Sequence, residues 1–194
     1  MSGNTSATGG PLSPSGSVQD DQALDDFFQA WVVGLTGYPG QMVRPDWQPE
    51  STNISTATQD WVAFRISVSG ADTNAVNLHR PDGDGYNQLR RHQVLTIRFS
   101  FYGPNASSFA DLLRDGAAIP QNCEPLQLNN MGIIGFGDQV PAPELVKGLW
   151  YRRVDMELQV KRQIVRTYQV QNLDAADISL DNERYVTLIT VKQP

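Results

Sequence analysis

Apolar and polar residues alternate strictly over 95–102, with Leu95, Ile97, Phe99 and Phe101 on one side and Thr96, Arg98, Ser100 and Tyr102 on the other. A period of two is the mark of a strand that buries one face. Gly103-Pro104 ends it, because proline brings no N–H to a ladder and glycine tolerates the turn. Asn105 or Ser107 is then placed to cap a helix by accepting from its unpaired N–H groups. Phe109, Leu112 and Leu113 follow at helical spacing, with Arg114 and Asp115 outside their stripe. Residues 89–118 therefore read as strand, turn and helix, the nucleus of an α+β sandwich.

Upstream, Leu24, Phe27, Phe28, Trp31, Val32 and Leu35 form a full apolar stripe, which predicts a helix over 21–35 stopped by Gly37. Asp25 and Asp26 stand in its first turns, where negative charge suits the dipole. Together with Asp20 and Asp21 they read as a solvated helix start, since no other ligand type is near enough for a cation site. Within 37–51, residues 42–44 fit a short edge strand, and the proline-broken remainder an extended loop. Trp47 in that loop is either a staple onto the core or a contact surface.

Residues 60–69 predict a strand with Val62, Phe64, Ile66 and Val68 on one face. Asp82-Gly-Asp84-Gly begins like a calcium loop but lacks the later ligands and closing glutamate, so it reads as a hairpin tip. His79 and His92 have no partner at ligand or triad spacing and take ordinary polar roles. Residues 119–130 look like loop, 131–136 like a short strand, and Pro141 and Pro143 like a further loop. The GIIGFG run is not the dinucleotide fingerprint.

From 150 to 170, Trp150, Val154, Met156, Leu158, Val160, Ile164, Tyr168 and Val170 share one parity, and Tyr151, Arg153, Asp155, Glu157, Gln159 and Lys161 the other. This is one long two-faced strand, or two with a bend near Arg162. Its polar face is water-exposed, or belongs to a subunit contact or channel wall. Residues 183–192 form a last strand, connected through 172–181. The expected architecture is α+β, with two main helices packed on one face of a mainly antiparallel mixed sheet of about five or six strands.

Composition narrows the function. Residues 1–18 are Ser, Gly, Thr, Asn and Pro with little to bury, a disordered tail ahead of one domain over 19–194. No apolar run reaches the roughly 20 residues of a membrane helix, and the N-terminus carries no signal-peptide pattern. The single cysteine, Cys123, permits no internal disulfide. A net charge of −6 argues against wrapping nucleic acid, though it leaves room for an acidic channel through which DNA slides. There is no GxSxG, Walker loop, HExxH or Cys/His cluster. Asp155 and Glu157 stand among basic residues that would pair with them. Asn53-Ile-Ser55 and Asn105-Ala-Ser107 match the glycosylation pattern, which matters only in a secreted protein. No catalytic, cofactor-binding or metal-binding residues are expected, and from its chemistry the chain reads as a non-enzymatic interaction domain.

Several separated segments resemble one family. They are VRPDWQPE at 43–50, DWVAF at 60–64, RRHQVLTIRFSFYGPNA at 90–106, LRDG at 113–116, IPQN at 119–122, PELV at 143–146 and WYRRVDMEL at 150–158. In this order they are similar to the phage neck or tail terminator proteins, with SFYGPNA and the Trp-x-Arg-Arg-Val-Asp stretch the most specific. The resemblance implies a virion protein made in the host bacterial cytoplasm. It implies a homo-oligomeric ring, commonly a hexamer, at the head-proximal end of the tail. There it would stop the tail tube protein from polymerising further and present a surface to head-completion or connector proteins, with genome DNA passing through the lumen. A head-to-tail ring needs two different patches per copy. Clustering in these segments makes Trp47 and the exposed charges Arg90, Arg91, Arg114, Asp115, Arg152, Arg153 and Asp155 the candidate contact residues. Reversing the charge of Arg153 is expected to weaken the ring and leave folding intact. Alternatives are another tube or head-completion component, an enzyme with a carboxylate pocket, or a small ligand- or carbohydrate-binding module using Trp47, Trp61 and Trp150.

Overall fold

A computed structural model describes residues 4–16, 18–47, 58–146, 148–173, 175–182 and 185–192, with side chains as far as residue 173. The candidate loop at 48–51 lies outside them. The chain divides into two compact units. The larger comprises Val18–Ala75 and Arg91–Ile164, the smaller Met1–Ser17, Val76–Arg90 and Val165–Pro194.

In chain order the elements are helix α1 (Gln22–Thr36), strands β1 (Val43–Pro45), β2 (Trp61–Ala71), β3 (Val76–Arg80) and β4 (Tyr86–Tyr102), and helices α2 (Ala106–Ala117) and α3 (Pro120–Leu128). Strands β5 (Met131–Phe136), β6 (Val140–Pro141), β7 (Glu144–Val146), β8 (Leu149–Tyr151), β9 (Arg153–Tyr168), β10 (Ala175–Asn182) and β11 (Tyr185–Lys192) complete the chain. Both β4 and β9 contribute residues to each unit.

In the larger unit the strands lie in the order β1-β2-β4-β9-β5, with β6 also on β9. β1 runs parallel to β2, whereas β2 pairs antiparallel with β4 from Trp61 opposite Tyr102, and β5 antiparallel with β9. This is the expected mainly antiparallel mixed sheet of an α+β fold. Its buried parity is the one the sequence marks: Val62, Phe64, Leu95, Ile97, Phe99, Phe101, Val154, Met156, Leu158 and Val160 join one core with Leu24, Phe28, Trp31 and Val32 of α1. Gly37 stops α1 in the left-handed region, its N–H returning to the Val33 carbonyl at 2.9 Å. At the other end, burial first, then the charges of Asp26 and Asp21, push the Asp25 carboxyl above its ordinary range. Burial, with the like charges added to it, outweighs the attraction of the helix N-terminus there.

Several expectations are corrected. Asn105 precedes α2 but makes no side-chain cap. Leu112 is exposed, and α2 packs through Ala106, Ala110, Leu113 and Ala117 with Phe109 at the margin. In β2, Val68 is exposed. The presumed loop 119–130 contains α3. Pro120 suits its first turn, which needs no N–H from that residue, and the interior Pro125 disguised it. Tertiary bonds fix this helix: Trp31 Nε1 donates to the Asn122 carbonyl (2.8 Å), Asn122 Nδ2 to that of Gly116 (2.8 Å), and half-buried Cys123 to that of Ala117 (3.1 Å). The long strand predicted from Trp150 begins only at Arg153. Trp150 belongs to a β7–β8 hairpin and is exposed, and Arg152 leaves the ladder. No break occurs at Arg162, which is buried on the apolar parity because Gln93 Oε1 (2.9 Å), the Gln19 carbonyl (2.7 Å) and Asp20 (2.6 Å) take its donors.

In the smaller unit β3 and the start of β4 form a hairpin about the Asp82-Gly-Asp84-Gly tip, as the sequence suggests. The supposed connection 172–181 holds β10, an antiparallel partner of β11 from Ala175 opposite Lys192. Asn172 binds the hairpin tip, donating through Nδ2 to the carbonyls of Pro81 (3.0 Å) and Gly83 (3.1 Å), which leaves its Oδ1 facing His79 Nε2 at 2.9 Å. Asn87 Oδ1 lies 2.7 Å from the other ring nitrogen. Acceptors at both nitrogens, Asn87 first, push the His79 pKa up. Residues 4–16, expected as a disordered tail, run beside the end of β9. The N–H groups of Ser6 and Ser15 donate to the Gln169 (3.2 Å) and Thr167 (2.8 Å) carbonyls, and the Gln171 N–H to Ser6 Oγ at 2.7 Å.

Candidate functional site

The three segments DWVAF, SFYGPNA and WYRRVD meet at one joint of the larger unit. Strand β4 turns into α2 through Gly103, whose φ is +108°. A Cβ there would stand 2.7 Å from the Gln59 carbonyl oxygen, 2.8 Å from Asp60 Cα and closer still to the Asp60 carboxylate, so only glycine fits. Asp60 accepts from the Asn105 N–H (2.8 Å) and Asn105 Nδ2 (2.9 Å). The start of α2 is thus held by a carboxylate from before β2 rather than by its own cap. From the third segment, the Arg152 carbonyl accepts the Gly103 N–H at 3.1 Å, and Arg152 Nη1 donates to the Pro104 carbonyl at 3.0 Å. That backbone bond is why Arg152 stands outside the strand.

One residue along each segment, a stack forms. Trp61 lies on Tyr102 with ring centroids 4.1 Å apart and planes 3° from parallel. The Arg153 guanidinium sits 5.6 Å from the Tyr102 centroid. Arg153 is held bidentately by Asp155 (2.7 and 2.9 Å) and reaches Glu144 at 3.3 Å. The hydrogen bond to Asp155 raises the Arg153 pKa further above its already high range, and burial raises that of Tyr102 despite the nearby cation. Arg153 is thus a member of a paired, half-buried cluster. Arg153→Glu would set a carboxylate against Asp155 and Glu144 and strip the ring of its cation. In correction of the expectation above, we expect it to lower folding stability by about 1.5 kcal/mol, read by urea denaturation of the isolated protein. An unchanged midpoint would show that the cluster contributes nothing to the fold.

The same polar face carries Arg65 with Asp46 (3.7 Å) and Arg98 with Glu157 (3.0 Å from Nε). Beside the joint, a cleft of about 700 Å³ is lined by Pro141, Pro143, Trp150, Tyr151 and Arg152 among others. The β7–β8 hairpin next to it exposes Leu145, Leu149 and Trp150.

The candidate contact residues therefore divide. Trp47 (81% exposed), Asp115 and Arg152 face water. Arg90, Arg91, Arg114, Arg153 and Asp155 are half-buried, not exposed charges. Arg90 donates to Gln88 within the smaller unit, whereas Arg91 begins the second segment of the larger one. Arg114 donates to the Gly137 carbonyl at 2.6 Å and secures α2. Only Arg152, Arg153 and Asp155 come together. Glu144, Tyr102 and Asp60 join them and were missed, although each lies in a segment that carries the resemblance. Leu145 and Leu149 were also missed. Of the three tryptophans offered as a ligand platform, Trp61 has a face covered by Tyr102.

A family model described as phage neck terminator protein matches residues 22–183 and so covers residues of both units. No curated protein matches the chain.

Proposed function

Since the chain belongs to the phage neck terminator protein family, we propose that it is a virion component that closes into a ring of identical copies at the head-proximal end of the tail. The ring ends growth of the tail tube and receives the head-completion proteins, with genome DNA passing through its lumen. The observation that carries this reading is the family match over residues 22–183. A hairpin that exposes Leu145, Leu149 and Trp150 side by side supports it, since a contiguous apolar surface marks a protein contact. A phage deleted for this gene is expected to give overlong tails, or tails detached from filled heads, in electron micrographs. Tails of normal length firmly joined to heads would overturn the reading.

A further inference from the structure

A closed ring needs two different, complementary patches on every copy, and two surfaces of the larger unit stand in that relation. One projects. In the β7–β8 hairpin, Leu145 lies opposite Trp150, and Leu145, Leu149 and Trp150 are 56, 57 and 68% exposed. The other is recessed. A groove of about 370 Å³ between α1 and α3 is lined by Ala30, Gly34, Leu35, Pro125 and Leu128, the last 85% exposed. The small Ala30 and Gly34 leave room for a bulky side chain, and the two surfaces share no residue.

Their charges are also complementary. Arg65, Arg98, Arg153 and Arg162 each have a carboxylate partner. Arg152, two residues after Trp150, binds the Pro104 carbonyl and has no carboxylate partner among the described residues. Glu124 on the groove likewise has no cation among them. The projecting surface carries an unmatched positive charge and the recessed one an unmatched negative charge.

We propose that the β7–β8 hairpin of one copy seats in the α1–α3 groove of the next, Trp150 entering over Ala30 and Gly34 and Arg152 meeting Glu124. The inference rests on the ring reading and names its contact.

The test uses particles assembled from full-length chain carrying Gln121→Cys and Leu149→Cys in a Cys123→Ser background. With a short bismaleimide, particles carrying both cysteines should give a ladder of covalent multimers, and particles with either one alone should not. Normally tailed, joined particles without a ladder would overturn this contact while leaving the terminator reading intact, which fails only by the deletion test. Independently, Arg152→Glu and Glu124→Arg should each lower the yield of joined particles about tenfold and together restore it. Failure of the pair to restore, with each single variant folded by circular dichroism, would also overturn the contact.

Discussion

Phe99→Ala is expected to destabilise the protein by about 4 kcal/mol. The ring is fully buried at the centre of the sheet, with centroids 6.2 Å from that of Phe64 and 6.0 Å from that of Phe101. Truncation removes the transfer free energy of the ring and leaves a cavity that packed neighbours on two strands can fill only in part. Against a typical total of about 5–15 kcal/mol, the variant should be marginal. Urea denaturation followed by tryptophan fluorescence measures the loss. A value below about 1.5 kcal/mol would mean that α1 and the sheet collapse onto the gap, so that the core is less rigid than its burial implies.

The second large effect concerns a charge. Asp20→Ala is expected to cost about 2 to 3 kcal/mol, because Arg162 is only 6% exposed and would keep a buried cation with neutral partners alone. The figure lies below the roughly 3–5 kcal/mol of a fully buried pair because Asp20 is itself 39% exposed. Replacing both residues, with Arg162→Met, should cost less than removing Asp20 alone, since no charge is then stranded. A double-mutant cycle measures this difference. A negligible loss for Asp20→Ala alone would show that the Gln93 and Gln19 oxygens suffice to hold Arg162, with Asp20 incidental.

These two residues also show what was legible in the sequence. Phe99 announces itself, because burying one face of a strand forces a period of two, and the same rule exposes α1 through its 3.6-residue stripe. Arg162 sits on the apolar parity and looks like a break, yet it continues the strand because its partners come from the chain before α1 and from mid-β4. No local pattern records such partners. Helix α3 is hidden for a similar reason: its hold comes from Trp31 and from carbonyls at the end of α2, while its own residues bury little beyond Leu126. The parity of β9 extends back through Trp150, so periodicity alone could not show that the Arg152 carbonyl turns away to Gly103. At the candidate site the motifs were visible separately. Their meeting was not, because a positive-φ glycine beside an aspartate some forty residues earlier is a fact of tertiary geometry. Glu144 was within reach, as a carboxylate in a resembling segment shortly before two arginines.

Three cations of the sheet's polar face, Arg65, Arg98 and Arg153, each lie within 4 Å of a carboxylate. Such pairs present dipoles rather than point charges, so their fields die away within the ~8 Å over which physiological ions screen. A charged body approaching these three pairs would meet little long-range pull or push from them. The pairs should therefore respond weakly to ionic strength, whereas any contact made by Arg152 or Glu124 should weaken as ionic strength rises.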